Sequence, residues 1–220
     1  MLDIESITNK IINADCMDIL KQLPDKCIDL VLTDPPYGIG IDGQKERYCT
    51  NPKHNRKLHT QKNWDREIPE RDVFNEISRV AKNVIVCGAN YFNEYLEQGK
   101  KGWIIWDKGQ RGLKMSDCEI FYSNFDKPTR IYTVNRCELI KDFTFHPTQK
   151  PLKLFKMILR DYSNENDLVL DCFSGSGTTA VAAHNLNRRF ICIEKDYDYW
   201  KASVERLEIA QSQLKIEWEA

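Results

Sequence analysis

Two apolar runs, Leu30-Val31-Leu32 and Val169-Leu170, each lead into a carboxylate and then a turn, and the two turns differ in kind. The first is Asp34-Pro35-Pro36-Tyr37; the second is Asp171-Cys172-Phe173-Ser174-Gly175-Ser176-Gly177. Two prolines lock φ and remove two backbone donors, so the first turn is rigid and holds its aromatic ring in a set direction. The glycines of the second allow a tight strand-to-helix turn, with a helix expected from about Thr178. A rigid aromatic turn suits the gripping of a flat substrate, and a glycine turn suits a cofactor. Here the substrate-type turn comes first, the reverse of the usual nucleotide-binding order.

Other short apolar runs, Ile11-Ile12, Val84 to Cys87, Trp103 to Trp106 and Phe190 to Glu194, include several too continuous for strands with one wet face. Such runs suit strands covered on both faces. Leu152, Phe155, Ile158, Leu159 and Tyr162 recur at helical spacing behind Pro151, which suits a first helical turn. Trp200, Val204, Leu207, Ala210 and Leu214 repeat the pattern near the C-terminus. The alternation predicts an α/β doubly wound sheet. With 220 residues and 41% hydrophobic side chains, the chain is expected to form one domain, 1–220, with a sizeable core. Two segments break the pattern. Residues 38–68 are polar and basic, and residues 108–147 are expected to hold one or two antiparallel strands and a surface loop.

A net charge of -1 shows no global field for nucleic acid, but Gly38 to Arg66 carries seven Lys/Arg against three acids, a local +4. Lys45, Arg47, Lys53, Arg56 and Lys57 are therefore candidates for phosphate contacts, with a solvated loop as the equal alternative. The eight cysteines lack zinc-site spacing and read as buried thiols of a reducing compartment, with no metal. An acidic start, Met1 to Glu5, and the lack of an apolar stretch near ~18 residues point to a cytoplasmic protein rather than a secreted or membrane one.

The glycine turn lacks a third glycine and a Gly-Lys-Ser/Thr, so neither a dinucleotide fingerprint nor a phosphate loop fits. Asp171 offers a charge-assisted bond to an ammonium group and would repel phosphate. Glu194, about one βα unit later, suits ribose hydroxyls. An amine and a ribose together describe S-adenosyl-L-methionine. At the other turn, the Asp34 carboxylate and the Pro35 carbonyl suit the two N–H groups of an exocyclic amine. Tyr37 suits stacking on a base taken out of its duplex, typically ~1–3 kcal/mol.

Ile12-Asn13-Ala14-Asp15-Cys16, Leu30 to Tyr37, His146-Pro147-Thr148-Gln149-Lys150-Pro151 and Asp171 to Thr179 resemble, in this order, the motifs of the β-class amino DNA methyltransferases. The resemblance implies a mostly parallel, seven-stranded Rossmann-like sheet with helices on both faces and a circularly permuted motif order. It implies catalysis at Asp34, Pro35, Pro36 and Tyr37, with Asp15 and Cys16 beside the cofactor adenine. It sets Asp171, Phe173, Ser174, Gly175, Ser176, Gly177, Thr178 and Thr179 beside the methionine part, and Glu194 at the ribose. Thr148 and Lys150 form its other cofactor segment, with Lys150 neutralising the methionine carboxylate. Without the resemblance, Asp15 reads as the cap of a helix Cys16 to Leu23. Trp106 and Phe92 read as core residues and Asp107 as a turn carboxylate, and Glu119 has no assigned role. Aspartate in the first motif position leans toward adenine N6 over cytosine N4. Double-stranded DNA is the implied substrate; a homodimer and a partner restriction endonuclease are compatible with it. The rival from another class is a non-catalytic nucleic-acid-binding subunit that keeps the fold.

Overall fold

The computed structural model describes residues 2–42, 62–113, 115–135, 138 and 145–213. Their strands are β1 (Lys10–Asn13), β2 (Ile28–Thr33), β3 (Ala81–Val86), β4 (Trp103–Asp107), β5 (Cys118–Ser123), β6 (Arg130–Thr133), β7 (Leu168–Asp171) and β8 (Arg189–Glu194). The helices are α1 (Ile4–Ile7), α2 (Cys16–Leu20), α3 (Arg71–Val80), α4 (Leu152–Tyr162), α5 (Thr178–Asn185) and α6 (Tyr197–Ser212). One sheet runs in the order β1-β8-β7-β2-β3-β5-β4-β6. All neighbours pair in parallel except β5, which is antiparallel to both β3 and β4. The described sheet thus holds eight strands, one more than the resemblance implies.

Successive strand residues face opposite sides of a sheet. Leu30, Leu32, Ile85, Val169 and Phe190 accordingly join Phe155, Ile158, Ala182 and Leu207 in an apolar layer under α4, α5 and α6. Val31, Val84, Leu170 and Ile191 join Leu20, Phe74 and Ile77 in a second layer under α2 and α3. The central strands β2 and β7 are therefore apolar on both faces, whereas edge strand β6 buries only Tyr132.

Helix α5 leads from β7 to β8 on one face, and α3 leads from β2 to β3 on the other, so strand order reverses between β7 and β2. Leu30 pairs with Val169 and Val31 with Leu170 at this reversal. Ligands of open α/β sheets bind in the crevice beyond such a point.

Several expectations change in detail. Pro151 has extended backbone and precedes α4 as its cap instead of entering its first turn. Helix α2 ends at Leu20, short of Leu23. Within 108–147, β5 is antiparallel as expected, but β6 pairs in parallel with β4. Cys118 is exposed and Cys27 half-buried, while Cys16, Cys87, Cys172 and Cys192 are buried thiols. Lys45, Arg47, Lys53, Arg56, Lys57 and Leu214 lie outside the described residues. No described helix is long and apolar enough to cross a membrane.

Candidate active site

The carboxyl ends of β1, β2, β7 and β8 open on one cavity of about 1000 Å³. Asp15, Cys16, Asp34 to Tyr37, Thr148, Lys150, Asp171, Phe173 to Ser176, Thr178, Thr179 and Glu194 all line it. Gly177 is not among the lining residues. Its φ is +72°, and a Cβ there would stand 3.0 Å from Ser203 Cβ and 3.3 Å from Ile11 Cδ1, so glycine is required for the turn and for close packing behind it.

The glycine turn is held by carboxylates. Asp171 Oδ1 accepts from the Thr33 hydroxyl at 2.8 Å and the Phe173 N–H at 3.1 Å, and Oδ2 accepts from the Thr179 hydroxyl at 2.5 Å. Burial pushes this carboxyl up to about 6 despite those donors. Glu194 Oε2 accepts from Gly175 N at 2.7 Å and Oε1 from Asp196 N at 2.8 Å, with burial pushing it up to about 7. Asp15 caps α2 through Met17 N at 3.0 Å and pairs with Lys195 at 2.9 Å, which holds its carboxyl below the usual range. Asp15 thus caps α2, as read without the resemblance, and also lines the cavity.

The rigid turn carries a denser network. Asp34 Oδ1 accepts from the Tyr37 hydroxyl at 2.5 Å, and Oδ2 accepts from the Lys150 ammonium at 2.5 Å. Burial pushes the Asp34 carboxyl above its ordinary range, and Lys150 offsets this only in part. Burial alone would push the Lys150 ammonium down, but Asp34 and Glu119 more than reverse it. Burial and the adjacent Asp34 raise the Tyr37 phenol, which stays a neutral donor. Lys150 thus sits on Asp34, at the rigid turn. The Tyr37 ring stacks on Tyr91 with centroids 4.7 Å apart and meets the edge of Phe92 at 5.9 Å. A Cβ on Gly88 would come 2.3 Å from Tyr37 Cε1, so only glycine leaves room for that ring. Phe92 and Trp106 are core residues, the latter donating from Nε1 to Val134 O at 2.8 Å. Asp107 binds Gly109 N and Arg111, as a turn carboxylate.

Residues 89–205, more than half of the chain, match the family of N6/N4 methyltransferases described as DNA methylase. The chain belongs to this family. It is 29% identical over 254 residues to the type II methyltransferase M.HinfI of Haemophilus influenzae, an alignment covering 93% of this chain and 70% of that protein. Its fold is similar to that of M1.HpyAVI, solved in complex with SAM, with a TM-score of 0.59, 22% identity, and coverage of 90% of this chain and 98% of that one. It is also similar to the PvuII DNA methyltransferase, named cytosine-N4-specific, with a TM-score of 0.58, 19% identity, and coverage of 90% and 87%.

Three residues of this DNA methylase escaped the sequence reading. Asp65, counted only as an acid in a basic segment, is buried and accepts from Tyr37 N at 2.8 Å, Gly38 N at 2.9 Å and Ile41 N at 2.9 Å. It fixes the backbone that leaves the rigid turn. Lys62, counted as a basic charge of the same segment, instead pairs with Asp196 at 2.5 Å and Asp198 at 2.6 Å and lies over the Tyr199 ring. Glu119 receives Lys108 at 2.9 Å and stands 3.4 Å from Lys150. Its one sequence signal is a charge two residues before the core residue Phe121 in a strand, which puts both on one face.

Proposed function

We propose that this DNA methylase transfers a methyl group from S-adenosyl-L-methionine to the exocyclic N6 amine of an adenine flipped out of double-stranded DNA. The observation that carries this reading is the pairing of β2 with β7, which sets the rigid turn and the glycine turn at the mouth of one cavity, tied by the bond from Thr33 to Asp171.

The lining fits that cofactor. Lys62, Lys150 and Lys195, three of the four lysines that line the cavity, are each committed to aspartates. Glu194 would take the ribose hydroxyls, Cys16 and Ile193 would flank the adenine, and Thr148 and the turn from Phe173 to Ser176 would hold the methionine part. When bound, the cofactor supplies an electrophilic methyl on a sulfonium sulfur.

An aryl amine is a weak nucleophile because its lone pair is delocalised into the ring. Asp34 and the Pro35 carbonyl would accept its two N–H groups and favour a more pyramidal nitrogen. A carboxylate offers about four acceptor sites. Tyr37 and Lys150 use two of those on Asp34, so an entering N–H still finds a place. The raised carboxyl of Asp34 is also a better base for the proton that the nitrogen sheds.

The test is to incubate the protein with cofactor and unmethylated DNA, digest to nucleosides, and identify the product by mass. N6-methyladenine is expected. N4-methylcytosine would reassign the base, and the absence of any methylated nucleoside would overturn the reading.

A further inference from the structure

Behind Asp34 lie three charged groups that the proposed chemistry does not use directly. Lys108, just after β4, reaches Glu119 Oε1 at 2.9 Å; Glu119 Oε2 stands 3.4 Å from Lys150 Nζ; and Lys150 Nζ is 2.5 Å from Asp34 Oδ2. Lys108 and Lys150 are each only 6% exposed, which a lysine tolerates only when it is paired. The row therefore holds two positive and two negative groups in alternation. Glu119 does not line the cavity, so it has no direct access to a substrate there.

We infer that Glu119 and Lys108 are positioning residues that set how tightly Lys150 clamps Asp34, and hence how available Asp34 is to the target amine. The proposal rests on Asp34 being the amine acceptor. Glu119 shares Lys150 with Asp34, and a Lys150 released by Glu119 would pair with Asp34 alone. Lys108 sets the balance from the other end by engaging one oxygen of Glu119. The geometry is fixed by the sheet: Glu119 is paired with Trp106 on β4, Lys108 N donates to Asp117 O at 3.0 Å, and Lys150 is held through its carbonyl by the Thr178 hydroxyl at 3.4 Å.

The other groups facing Asp34 are the Tyr37 hydroxyl on its own turn, the Cys87 thiol beyond β3 and Asp171 at the end of β7. Burial keeps the Tyr37 and Cys87 groups neutral. Asp171 is untouched by changes in the row, within which Glu119 is the anion that raises Asp34 and Lys150 the cation that lowers it, so the row sets the sign of any shift.

The experiment is the pH profile of kcat/KM for DNA methylation at saturating cofactor. Glu119→Gln removes a like charge and gives Lys150 wholly to Asp34, so the acidic limb should move to lower pH by about one unit and the plateau rate should fall. Lys108→Met draws Glu119 toward Lys150 and should move the limb to higher pH. The double variant loses one charge of each sign and should return the limb toward its wild-type position. Should Glu119→Gln fail to fold with Lys108 left unpaired, the upward shift in Lys108→Met and the double variant carry the test. Limbs that stay in place, or that move in the same direction in both single variants, overturn the proposal. If instead Asp34→Ala retains activity, it is the acceptor role of Asp34 that fails.

Discussion

Glu194, proposed to take the ribose hydroxyls, is also the carboxylate that holds the glycine turn. It ties Gly175 and Asp196 through their N–H groups, yet burial raises it to about 7. Hydroxyl groups donate best to the ionised form. Cofactor binding that uses ionised Glu194 is therefore present above that value and lost as pH falls through it. Between pH 8 and pH 6 the affinity should drop about tenfold more than in Glu194→Gln, as calorimetric titrations of both proteins would show. Equal slopes in the two would remove Glu194 from the cofactor site. The position of Glu194 was legible from the apolar run before it, but its hydrogen bonds to the turn were not, because they join residues from two strand ends. Glu119 and Asp65 were illegible for a related reason. Their partners lie in other elements, and a lone acid in a sequence looks the same whether it is solvated or buried against a lysine.

At the scale of elements, α5 carries a tight packing constraint. Ala180, Ala182 and Ala183 have no accessible surface, and the helix lies against β8 and α4. Enlarging a side chain in such a contact forces neighbours off their rotamers, typically costing ~1–3 kcal/mol. Ala182→Leu should lower the thermal midpoint by several degrees with the cofactor absent, and an unchanged midpoint would show that the interface can yield. The runs that became β2, β7 and β8 were readable in advance, because strands buried on both faces leave no polar alternation. The register of β5 and β6 was not readable. Strand β5 is inserted out of chain order between β3 and β4, which leaves edge strand β6 to pair in parallel with β4.

For the whole molecule, the order of the two turns mattered more than either turn alone. Thr33 and Asp171 are 138 residues apart in the chain and 2.8 Å apart in space, because β2 and β7 are neighbours at the reversal of strand order. That adjacency puts a rigid acceptor beside a glycine turn lined by carboxylates, and the family membership makes DNA the substrate class. The central claim is that Asp34 is the group that readies the target amine. It is tested most directly by single-turnover methyl incorporation into unmethylated DNA by Asp34→Ala at saturating S-adenosyl-L-methionine. The account predicts a rate at least about 100-fold below wild type, in keeping with the loss of a positioned acid–base group. A near-native rate would contradict it.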